Sequence, residues 1–152
     1  MDKREAREIL FTLVYEYEFN TDKSAEEIYD NARNDREFEN FRYIKKGLTD
    51  IIANKGFLSD VIEKYSSNWK ISRIAPVTSS LLYVAIYDMV IKTTPVGIAI
   101  NEVLELAKKY DTEQSVSFIN GILNSISDNM EEIKSARENE SEAVSDTVDN
   151  EA

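Results

Sequence analysis

A chain of 152 residues, 42% of them hydrophobic, is long enough for one packed domain or one domain of two small halves. It has no cysteine and no histidine, which excludes disulfides and thiolate metal sites and removes the commonest general base and metal ligand. A net charge of −11 argues against nonspecific affinity for nucleic acid, and neither a bilayer-spanning apolar run nor a signal-peptide core is present, so a cytoplasmic protein with no membrane role is expected.

Glycine and proline are scarce, at four and two, and the apolar residues recur at helical spacing. An all-α fold is expected. The first helix should run from Lys3 to about Phe19, with Ala6, Ile9, Leu10, Leu13 and Tyr17 as its core stripe. Arg4, Phe11 and Tyr15 fall on the opposite face, with Arg7 toward its edge. Basic and stacking side chains on one face suit single-stranded RNA, where cations hold phosphates and rings stack on bases. On these residues alone, packing of Phe11 and Tyr15 against another helix is the simpler reading.

Ser24 begins a capping box and should start a short helix reaching about Ala32, followed by a polar connection over Asn34, Asp35 and Arg36. Phe41, Ile44, Leu48, Ile51 and Ile52 form the next stripe, with Gly56 as its stop. Ser59 should cap another helix through Tyr65. The stretch from Lys64 to Ala75 is less regular. Trp69 reads as a core anchor between subdomains, with base stacking as its other possible role. Pro76 opens a helix to about Ile91 that is apolar nearly all round, from Leu81 to Val90, and so should be central.

The last pair of helices lies around a polar break, Asp111 to Gln114. Before it, Ala99, Ile100, Val103, Leu104, Leu106, Ala107 and Tyr110 share one broad face, and Lys108 and Lys109 occupy the last turn as the helix dipole prefers. After it, Ile119, Ile122, Leu123, Ile126, Met130 and Ile133 form a second stripe. Gly121 sits inside this helix at a cost of ~1 kcal/mol relative to alanine, which close approach of a neighbouring backbone would explain. About seven helices result. From Glu131 onward there are eight acids and two bases, a net of −6, against −5 for the first 130 residues. The division expected is a helical domain over 1–134 and a disordered acidic tail over 135–152.

Catalytic chemistry is absent from this reading. Glu102 and Glu105 are three apart on a helix, but a salt-bridged surface explains them better than a reactive pair. The four glycines are isolated, so there is no phosphate loop, and no nucleophile has a base. No enzyme, cofactor or metal is expected.

Three segments, in order, carry a family likeness. KREAREILFTLVYEYE resembles the N-terminal helix of the NusB family of transcription antitermination factors, LLYVAIYD its central helix, and INEVLELAKKY followed by FINGIL its C-terminal signature. The match runs from about Lys3 to Ile126. The resemblance implies a NusB fold of two packed helical subdomains. It implies binding of the boxA element of ribosomal RNA transcripts together with a small-subunit ribosomal protein, NusE, in a complex with RNA polymerase and other Nus factors. The free protein would be a monomer or a homodimer. By the same match Lys3, Arg4 and Arg7 at the first helix, and Lys108, Lys109, Tyr110, Gln114 and Phe118 around the last turn, are the RNA-binding candidates. Tyr15 and Thr78 match partner-facing positions. Glu5 interrupts the basic run, Tyr83 stands where the family often has arginine, and Gln114 stands where an acid is common. A solubilising role for the acidic tail is simpler than competition with RNA for the basic patch. Two other readings are an acidic adaptor that binds only proteins and a NusB-like domain of an rRNA cytosine methyltransferase. For the latter, this chain is too short to hold a methyltransferase domain and has no glycine-rich cofactor loop, and a reading frame ending at Ala152 would exclude it.

Overall fold

Asp2 starts the first helix by accepting a hydrogen bond from the Glu5 amide at 2.8 Å. The computed structural model describes residues 1–139; the rest of the expected tail lies outside them. Among the described residues the regular elements are helical. They are α1 (Lys3–Glu18), α2 (Ala25–Arg36), α3 (Arg42–Ala53), α4 (Lys55–Tyr65), α5 (Pro76–Ile86), α6 (Val96–Tyr110) and α7 (Glu113–Asp128), with a 3-10 turn at Ile71–Arg73. The chain is again helical over 130–139, past the boundary expected at Lys134, and Ile133 is buried against the body.

Helices α1, α2 and α3 pack on one another, and α4 to α7 form the second subdomain. The contact of α1 with α5 joins the two. Every residue from Leu81 to Val90 is buried, so the apolar helix is central as its composition requires. Its last turn differs from the expected regular helix. Tyr87–Ile91 is a π-helical turn, with the Lys92 amide bonded to the Tyr87 carbonyl at 2.9 Å.

Several expected boundaries move. The Ser24 capping box forms, but α2 continues one turn beyond Ala32 and ends where Glu37 adopts a left-handed φ of 54°. Arg36 holds that extra turn to α1, donating to the Thr12 hydroxyl at 2.8 Å. Gly56 does not stop α3. Asn54 ends α3 and opens α4, and Gly56 lies in the first turn of α4. Ser59 is therefore inside α4, where its hydroxyl pairs with that of buried Tyr83 at 2.8 Å. The glycine that permits close packing is Gly47. A Cβ there would meet Leu10 Cδ2 of α1 at 2.7 Å. Gly121 is exposed, and a Cβ there would meet nothing within 4 Å, so the close approach expected at that position does not exist.

Candidate nucleic-acid interface

Arg4, Glu8, Phe11 and Tyr15 follow one another along α1 at steps of three and four, and so share a face. That face meets α6 across a groove of about 170 Å³ lined by Arg4, Glu8, Glu102 and Lys109. Two exchanges bridge it. The Arg4 guanidinium donates from Nε and Nη2 to the two Glu102 oxygens, both at 2.9 Å, a bidentate pair that holds the Glu102 carboxyl below the usual carboxylate range. One turn on, Lys109 donates to Glu8 Oε1 at 2.6 Å and the Tyr110 hydroxyl donates to the same oxygen. Those two hydrogen bonds, Lys109 first, lower the Glu8 pKa.

Phe11 is buried, with its ring 5.0 Å from that of Tyr110. It packs against another helix, and the exposed stacking surface passes to Tyr110. Lys108 pairs with Glu105 at 3.1 Å. Arg7 departs from its expected place: it is 4% exposed. Its Nε donates to Asp88 Oδ2 at 2.8 Å, and its Nη1 lies 3.9 Å from Glu102. The π turn of the central helix aims Asp88 at α1, and a charge placed there must be paired. Arg7 is thus not available to a phosphate, and Lys3, Arg4, Lys108 and Lys109 remain as the exposed cations of this end.

The turn between α6 and α7 is short because Thr112 caps α7, its hydroxyl accepting from the Ser115 amide at 3.1 Å. Gln114 is exposed in the first turn. Phe118 is half-buried one turn later, edge to face with Trp69 at 6.2 Å and 73°. Trp69 is not a core anchor. It is 52% exposed, because left-handed Ser67 and Asn68 swing the chain outward just before it. Trp69, Arg73, Gln114 and Phe118 line a cleft of about 480 Å³.

Tyr15 is 37% exposed and stands edge to face with exposed Phe19 at 5.1 Å, so an aromatic pair faces outward beyond the groove. Thr78 does not face a partner in this way. It is buried and donates to Asp111 Oδ2 at 2.7 Å, tying α5 to the end of α6. Asp88 and its second donor Tyr43 were not among the expected site residues. The signal for Asp88 was present as the lone charge in an otherwise apolar helix, but its partner is 81 residues away and no local spacing names it.

A sequence model of the NusB family matches residues 4–128. The chain belongs to the NusB family. The transcription antitermination protein NusB of Acetivibrio thermocellus is 41% identical over 133 residues, covering 83% of this chain and 88% of that protein. That of Natranaerobius thermophilus is 35% identical over 135 residues, covering 86% and 97%. T. maritima NusB superposes with a TM-score of 0.70 at 27% identity, over 83% of this chain and 90% of that one. A crystal structure of the antitermination factors NusB and NusE in complex with double-stranded RNA contains a chain that superposes at a TM-score of 0.73 with 21% identity, covering 88% and 96%. That likeness concerns the fold. NusB proteins are transcription antitermination factors and not enzymes. Among the described residues of this NusB-family chain, no helix is long and apolar enough to cross a membrane.

Proposed function

We propose that this chain binds boxA-type RNA of ribosomal RNA transcripts, jointly with the small-subunit ribosomal protein NusE. It acts in the cytoplasm, in an antitermination complex with RNA polymerase and other Nus factors. The observation that carries this reading is the meeting of the start of α1 with the α6–α7 turn. Arg4, Lys109 and Tyr110 stand on one face there, although about a hundred residues separate them in sequence. Two cations beside an exposed ring suit a strand that offers a phosphate and a base together. Gln114 and Phe118 line a separate cleft with Trp69 and Arg73 beyond the α6–α7 turn, and Lys3 and Lys108 are the sequence neighbours of Arg4 and Lys109.

In the free protein Arg4, Lys109 and Lys108 rest on Glu102, Glu8 and Glu105 respectively. Exposed ion pairs contribute little to stability, so a phosphate can replace the carboxylate at small cost. The pairs hold the cationic side chains in position, and they limit nonspecific attraction in an acidic chain. Tyr15 with Phe19 supplies an apolar, aromatic surface for NusE.

The test is a salt titration of the complex of this chain, NusE and labelled boxA RNA. Arg4→Ala with Lys109→Ala removes two phosphate contacts and should lower the slope of log affinity against log salt by about 1.4 units, at about 0.7 per contact. NusE binding measured without RNA should stay the same. Superposed wild-type and variant lines would reject this RNA site. Tyr15→Ala should instead weaken NusE binding and leave the fold intact.

A further inference from the structure

Lys3 has no carboxylate partner among the described residues, whereas Arg4, Lys108 and Lys109 each have one. Its ammonium turns toward α3 and lies 4.4 Å from the centre of the Tyr43 ring. The ammonium of Lys92, just past the π turn, lies 5.3 Å from the same ring. Arg42 from the first turn of α3 and Lys46 complete the wall of a cleft of about 550 Å³. The acid on that wall, Asp50, is paired with Lys46 at 3.1 Å. Asp88 lies below, engaged by Arg7 at 2.8 Å and by the Tyr43 hydroxyl at 3.0 and 3.1 Å. Lys3, Arg42 and Lys92 therefore converge with no ion pair among the described residues, in a chain whose net charge is −11.

Like charges so placed repel, and the negative face of the Tyr43 ring offsets only part of that repulsion. Burial and the neighbouring Lys92 charge lower the Lys3 pKa, as expected of an ammonium that lacks an anion. The ring itself is fixed, because its hydroxyl is held by Asp88. The cleft therefore presents two ammonium groups and a guanidinium on a rigid floor. A lone phosphate would fill a small part of about 550 Å³, whereas a volume of this size suits a ligand as large as a nucleotide. Lys3 and Arg4 are neighbours at the start of α1 and point about 100° apart around it, Lys3 toward α3 and Arg4 toward α6, so a strand that crosses the start of the helix meets both.

We propose that this cleft is a second phosphate seat, taking a phosphodiester of the RNA strand where it continues past the contacts at Arg4 and the α6–α7 turn. The inference rests on the RNA-binding reading above. Lys92, Arg42 and Lys3 hold the anion, and Tyr43 orients the two lysines.

The test uses the complex with NusE and two RNAs, boxA alone and boxA extended by several nucleotides on both sides. Lys92→Gln with Arg42→Gln alters two exposed side chains, and the melting temperature should not change. With the extended RNA the double variant should lose about 0.7 units of salt slope, the value for one phosphate, and with the short RNA it should match wild type. An unchanged slope with the extended RNA overturns the second seat and leaves the first site standing. If neither RNA binds wild type, the RNA-binding reading falls and the seat falls with it. Inorganic phosphate is titrated separately at constant ionic strength and followed by NMR. Saturable shifts at Arg42 and Lys92 with an unchanged RNA slope would overturn the assignment in favour of a free anion.

Discussion

The Arg7 guanidinium donates to the Asp88 carboxylate at 2.8 Å, joining the first helix to the π turn of the central helix, and neither group reaches solvent. Tyr43 of α3 donates to the same carboxylate, so three helical elements meet at one buried charge. Burial, then the Asp88 charge, raises the Tyr43 pKa far above its ordinary value. The hydroxyl therefore stays protonated and keeps donating. Breaking such a pair from one side leaves an uncompensated charge, which costs about 3–5 kcal/mol. Asp88→Asn or Arg7→Met should lose that much in urea melts. The double variant Arg7→Met with Asp88→Leu should lose less than either single change. Single variants within about 1 kcal/mol of wild type would mean that water reaches the pair and that it does not join the subdomains.

Glu8 and Glu102 set the acid limit of the α1–α6 contact. Hydrogen bonds from Lys109 and Arg4 respectively lower their pKa values. A carboxyl with a lowered folded pKa adds stability above its unfolded pKa, about 4.3, and that contribution disappears as pH falls through the lowered value. Glu102→Gln should therefore melt slightly below wild type at pH 7, and the difference should shrink as pH falls below about 4.3 and disappear once pH is below the lowered Glu102 pKa. The same variant frees Arg4 and removes a negative charge, so boxA RNA should bind more tightly to it at pH 7. Weaker RNA binding by Glu102→Gln would show that the carboxylate orients Arg4 for RNA instead of competing with it.

Much of this architecture was legible because helical stripes are local. Ala6, Leu10 and Leu13 of α1, most of the α6 and α7 stripes, the apolar central helix and the Ser24 cap follow from spacing within one or two turns. Ile9, Tyr17 and Leu104, by contrast, are only partly buried, Phe11 and Val14 complete the α1 core, and Tyr110 is exposed. The boundaries that moved depend on distant partners. Arg36 extends α2 because Thr12 is there to receive it, and Ser59 is inside a helix because Tyr83 lies opposite. Of the candidate site, spacing brought some exposed side chains near one another and missed which ones turn inward. Spacing placed Arg4 and Arg7 near one face, but only the fold shows that Arg7 turns inward to Asp88 while Arg4 rests on Glu102, 98 residues away. Lys92 and Arg42 were silent for the same reason, since nothing near either in sequence points to Lys3.

The glycines separate local cost from tertiary need. Gly121 is exposed in mid-helix with open space where a Cβ would stand, so Gly121→Ala should stabilise the domain by about 0.5–1 kcal/mol. Gly47→Ala should destabilise it, because Leu10 Cδ2 at 2.7 Å would have to move within a filled core. Thermal melts of both variants settle the point. A stabilised Gly47→Ala would mean that α1 and α3 are less tightly packed than this geometry requires. Truncation at Leu82, fully buried in α5, should cost about 2–5 kcal/mol.

Trp69 offers a direct optical test of where RNA lies. It is the only tryptophan in the chain, and it is half exposed beside Phe118, one of the proposed RNA contacts. Arg73 stands in the same cleft, and among the described residues no carboxylate lines it. A base arriving at Phe118 would stack on or near the indole, change its solvent exposure and quench its emission. Emission should therefore fall as boxA RNA is added to the complex with NusE, with the midpoint of the RNA-binding curve. Adding NusE alone should leave most of the signal in place. Phe118→Ala should weaken RNA binding and reduce the quench while leaving the salt slope nearly unchanged, because stacking releases no counterions. Trp69→Ala should weaken RNA binding by less than the loss of one stacked base, about 1–3 kcal/mol, if the indole only borders that base, and by that full amount if it carries the base itself. A spectrum that shifts with NusE and does not respond to RNA would place the protein partner in this cleft, and the RNA would then end at Tyr110.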